Sequence, residues 1–73
     1  MDARESWHEE KQSAWLYRAL AEVEPDLRMS TLFGQLAAAA EEQSAHWARI
    51  AATTGQALPE FTPETRARLV AVL

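Results

Sequence analysis

The chain contains no cysteine, so no disulfide can brace it. It has only two glycines and three prolines, too few for a loop-rich or repetitive architecture. No apolar run approaches the ~20 residues of a membrane span. The amino-terminal stretch "MDARESWHEEK" is polar and acidic, which excludes a secretory leader pattern within it. Basic residues are in the minority, seven against eleven acidic ones, giving a net charge of −4. With no basic patch, nucleic acid is not expected as a partner. A cytoplasmic location is expected.

What remains is helical. At 73 residues the chain forms at most one small domain. A single core of that size rarely supplies more than ~3–5 kcal/mol, so oligomerisation or a metal is the expected source of further stability. Three helical segments and no strand are predicted. The first covers residues 2–24 and stops at Pro25, which disfavours helix in the residue before it. The second covers residues 27–54, with Asp26 as its cap and Gly55 just past its end. A loop over 55–62 leads to a third helix over 63–73, opened by Thr62, Pro63 and Glu64. Its apolar end "LVAVL" calls for a cover. A membrane-surface role for "RARLVAVL" has only two arginines behind it.

The short connection between the first two segments makes an antiparallel hairpin. In the second, Met29, Phe33, Leu36, Ala40, Gln43, Trp47, Ile50 and Thr54 recur at alternating steps of four and three. In the first, Ala3, Trp7, Glu10, Ala14, Tyr17, Ala21 and Glu24 form the matching stripe, flanked by Leu16, Leu20 and Val23. A hairpin cannot bury both faces by itself, whereas two hairpins can, as a dimeric four-helix bundle. The expected fold is therefore all-α, a hairpin plus a short carboxy-terminal helix, dimerising or assembling further.

Glu10 is the informative polar residue. A carboxylate on an apolar stripe is costly unless paired or bound to a cation; the plain alternative is that it sits near the helix end, within reach of water. Glu9 flanks the same face. On the second helix the candidates are Glu41, Glu42, Gln43 and His46. Glu42 and His46 lie one turn apart and can share a cation or a hydrogen bond. Glu41 points to the opposite flank, where a solvated role is the plain reading, and His46 alone is equally readable as a hydrogen-bonded interface histidine. Glu10, Glu42 and His46 are the expected metal ligands, with Glu9, Glu41 and Gln43 as weaker ones. His8 is expected to be exposed. Trp15 lies away from Glu10, either on a second contact surface or against the third helix.

The stretches "HEEKQSAWLYRALAEVEPD" and "LFGQLAAAAEEQSAHW" resemble the helical hairpin of ferritin-like, rubrerythrin-type proteins. The nearest form is the domain fused to vacuolar-iron-transporter-type membrane proteins, and "LPEFTPETRARLVAVL" looks like the segment that follows it there. The resemblance implies a four-helix bundle, iron or another divalent cation, a role in iron homeostasis, and a membrane transporter domain as neighbour. It also implies a ligand glutamate seven residues before a tyrosine, which Glu10 and Tyr17 match. A Glu-x-x-His is implied on the second helix, and it falls on Ala40 and Gln43, which do not match. Ferroxidase-type ancestry is therefore implied while two of three ligand positions have changed. The alternative is a helical dimerisation module that keeps the bundle without the metal.

Overall fold

A computed structural model of the chain describes residues 2–64. The described residues hold two α-helices and no strand: α1 spans Ala3–Val23 and α2 spans Leu27–Thr53. Local chemistry sets their ends. Asp2 caps α1 by accepting from the Arg4 backbone N–H at 2.9 Å. Glu24, held extended ahead of Pro25, ends it. Asp26 caps α2, accepting from the N–H groups of Arg28 and Met29. At the far end Gly55 takes a positive φ of 74°. Its N–H donates to the Ala52 carbonyl and the Gln56 N–H donates to the Ala51 carbonyl. That pair of bonds is a Schellman closure, and a side chain at Gly55 would strain it.

The helices pack antiparallel, in a register fixed at three levels. Near the turn the Ser30 hydroxyl donates to the Ala21 carbonyl at 2.6 Å. Midway, Tyr17 and Phe33 stack with centroids 6.5 Å apart. Further on, the Lys11 ammonium meets the Glu41 carboxylate at 3.1 Å. The buried residues between these ties are small: Ala14 and Ala37 are fully covered, and Ala40, Ser44 and Ala51 nearly so. Trp7 is the one large side chain in the buried set.

On α1 the buried line includes Ala3, Trp7 and Ala14, as the stripe predicts, and adds Ser6. On α2 the packed line is rotated from the predicted stripe. Ala37, Ala40, Ser44 and Ala51 are buried, whereas Leu36 and Gln43 are exposed. The reason is size: the alanines and Ser44 let the helix axes close together, and larger residues on the same helix turn outward. The predicted third helix over 63–73 lies mostly outside the described residues; Pro63 and Glu64, which are described, are not helical.

Residues 56–64 run back along α1. Phe61 lies edge-on to Trp7, centroids 6.4 Å apart, and beside His8. The Glu64 N–H donates to Gln12 Oε1, and Glu64 Oε1 lies 3.2 Å from His8 Nε2. His8, expected to be exposed, is thus half-covered by this strap.

Two tests follow from the packing and the cap. Ala14→Leu inserts three carbons where the helices touch, and should lower unfolding stability by about 1–3 kcal/mol in a urea titration. The Asp2 carboxyl sits below its ordinary value of 3.8, chiefly because the Arg4 backbone N–H donates to its charged form. A depressed carboxyl contributes stability that is present above the unfolded value and lost as pH falls through the folded one. Protection of the first-turn amides of α1, taken relative to intrinsic exchange at each pH, should therefore fall below about pH 4, and in Asp2→Ala it should be low at neutral pH too.

Candidate functional site

The Lys11–Glu41 ion pair closes one edge of the seam between the helices. On that side lies a shallow groove lined by Lys11, Trp15, Arg18 and Phe61, among others. Trp15 therefore borders the side that carries the strap. Successive helix residues are about 100° apart, so Glu10, next to Lys11, lies toward the opposite edge. By the same step Leu36 and Gln43 lie on the far side of Ala40 from Glu41. This second, open face gathers Glu10 from α1 and Met29, Leu32, Leu36 and Gln43 from α2.

The open face is apolar toward the turn and polar in its middle. Met29, Leu32 and Leu36 are exposed there, with Val23 and Leu27 at the hairpin end, Leu27 to 80%. Glu10 is half-buried, and among the described residues it has no ion pair or hydrogen bond. The register places it level with Ala40 and Glu41.

The remaining candidates do not converge on it. Glu41 is taken up by Lys11 across the seam. Glu9 is exposed, on the adjoining outer surface of α1. Glu42 and His46 share the outer side of α2 with Gln43 and Arg49, around a wide depression. All four are exposed, and the His46 ring lies edge-on to Trp47 at 5.4 Å. Among the described residues no three histidine or carboxylate side chains gather so as to hold a metal ion. The donor set of one chain therefore does not fit a di-iron centre: Glu10 has a methyl group opposite it at Ala40 and a neutral amide at Gln43. Sequence reasoning missed the strap contacts of His8, which depend on a segment some fifty residues away.

Ala40 has little space around it, so the implied ligand pair is easier to write than to accommodate. Ala40→Glu forces a carboxylate into the packed seam and should lower metal-free stability by about 1–3 kcal/mol. Gln43→His, on the exposed face, should change it by no more than about 0.5 kcal/mol. Urea unfolding of the single and double variants, with and without ferrous iron, measures both effects. If the ferritin-like register is correct, iron recovers part of the loss in the double variant alone.

Comparison of the chain with protein-family models, with curated proteins and with solved structures found no match in any of the three.

Proposed function

We propose that this chain is a ferritin-like helical module that works as a self-associating half-bundle, with Glu10 at the seam between copies as its link to divalent-cation handling. The carrying observation is the open face, where Met29, Leu32 and Leu36 are exposed beside a half-buried Glu10 that has no partner among the described residues. Covering that face by a second copy removes apolar surface from water. It also brings two Glu10 carboxylates toward one seam, where a cation relieves the cost of their burial. Carboxylate oxygens suit a divalent ion such as ferrous iron or manganese. Iron homeostasis, next to a membrane transporter, is the setting that the resemblance to ferritin-like domains implies. Iron oxidation is not part of the proposal, because Ala40 and Gln43 supply neither the charge nor the imidazole lone pair of that centre. No described helix is long and apolar enough to cross a membrane, so a transporter would be a separate domain or chain.

A second reading is a dimerisation module that binds no metal, favoured by the packing of Ala40 against α1. Solution mass and cation-dependent melting test both. At micromolar concentration the chain should be a dimer or larger, and Leu32→Glu with Leu36→Glu should make it smaller. Manganese should raise the melting temperature of the parent protein and leave Glu10→Ala unmoved. A dimer indifferent to divalent cations supports the metal-free module, and a folded monomer overturns both readings.

A further inference from the structure

The strap advances along α1 in one direction. Pro59 borders a cleft with Asp2 and Arg4, Phe61 packs at Trp7, and the Glu64 N–H reaches Gln12. The described chain stops at that point, and nine residues, 65–73, follow it in the sequence. Directly ahead on α1 is the groove that holds Trp15, Ala19 and Glu22, with Phe61 at its near end and Lys11 beside it. We propose that this groove is the docking site of the chain's own residues 65–73, with Leu69, Val70 and Leu73 packed along Trp15 and Ala19.

The line that the strap covers continues into the groove. His8, Gln12, Trp15 and Ala19 follow one another at steps of four, three and four, which is one side of a helix. The strap holds the first two, and the next two lie in its path. Lengths agree as well. Taken as a helix, the sequence pattern carries Val70 about 9 Å beyond Glu64, while Ala19 lies about 10.5 Å beyond Gln12. Val70 therefore comes level with Ala19. Arg66, Leu69, Val70 and Leu73 share one side of such a helix. Arg66 comes level with Trp15, whose ring face attracts a guanidinium, and Arg68 falls on the opposite side, toward water. Gln12 adds a separate reason. Its Oε1 accepts from Glu64, but its Nε2 is buried and has no acceptor among the described residues. A buried donor left without a partner is costly, and a backbone carbonyl just past Glu64 can supply one. The apolar face of Leu32 and Leu36 is not the destination. It lies on the other side of the hairpin, and a nine-residue helix, about 13.5 Å long, ends near the level of Glu22 without rounding α1. Docking of this kind needs one copy only and holds whether or not the chain self-associates.

The absence of cysteine provides a clean background for the test. Ala19→Cys with Val70→Cys, oxidised mildly in dilute full-length protein, should form a disulfide within one chain, read by mass without reductant. Leu32→Cys with Val70→Cys, which would span to the open face, should stay reduced. A first pair that stays reduced, or that links two chains, overturns the docking, and so does a second pair that closes as readily. Hydroxyl-radical labelling, read peptide by peptide, then reports on Trp15 without any cross-link. Leu69→Glu with Leu73→Glu should raise labelling of Trp15 severalfold and leave Trp47 as it is, because only the groove loses its cover. Leu69→Ile with Leu73→Ile, which keeps the apolar volume, should retain the parent value. Unchanged labelling of Trp15 in the glutamate variant overturns the docking even where the disulfide forms.

Discussion

Close approach of two helices across small side chains is the constraint from which the rest of this structure follows. Ala14 and Ala37 are covered completely, and Ala40, Ser44 and Ala51 almost completely. Alanine loses no rotamer entropy on burial and permits short interaxial distances, but each contributes little apolar area. The seam is therefore well defined and thinly stabilised. Caps at Asp2 and Asp26, the Ser30–Ala21 bond and the Lys11–Glu41 pair hold its ends and register. None replaces a core of large side chains, and the half-exposed ion pair adds about 1 kcal/mol at most.

Rotating small residues inward turns large ones outward, and the two sides of the hairpin receive different treatment. Toward Lys11 and Trp7 the chain uses its own strap: Phe61 packs on Trp7, and Glu64 reaches His8 and Gln12. Toward Leu36 and Gln43 the described residues supply nothing comparable, and Leu32 stays 43% exposed. A hairpin closed on one side and apolar on the other is what the proposed half-bundle requires. The same rotation places Glu10 on the open side and Glu41 on the closed one. The two carboxylates therefore differ: Glu10 has no partner among the described residues, and Glu41 is paired with Lys11.

Much of this was legible in the sequence because it depends on local rules. Pro25 with Asp26, and Gly55 at the end of α2, fix the hairpin through backbone chemistry that needs no tertiary context. The α1 stripe was legible for a similar reason, since Ala3, Trp7 and Ala14 mark one side of a helix without ambiguity. The α2 stripe was legible only to within one flank. Steps of four and three fit Leu36, Ala40 and Gln43, and they fit Ala37, Ala40 and Ser44 as well. Hydrophobicity favours the first line; close packing against Ala14 selects the second. Periodicity records which residues avoid water, and it does not distinguish a face turned to the same chain from a face turned to another. The strap contact of His8 lay beyond local rules altogether, since its partners Phe61 and Glu64 come from the far end of the described chain.

In the ferritin-like reading proposed above, the two changed ligand positions have unequal consequences. Gln43 sits on an exposed face, so an imidazole or an amide there disturbs no packing and either keeps a polar group on that face. Ala40 is different, because it is part of the contact that sets the distance between the helices. A glutamate at that position would hold α1 and α2 further apart unless a cation drew its carboxylate toward Glu10. In that proposed reading, metal and close packing are competing solutions to one geometric problem: Ala40 serves close packing, while Glu10 supplies the acidic half of the metal solution. A lone carboxylate kept on an apolar face still requires something to offset its burial. A second Glu10 makes that requirement more acute, while a divalent cation or the donors of Gln43 relieve it. In the proposed reading, Glu10 therefore ties the choice of ligand to the choice of partner.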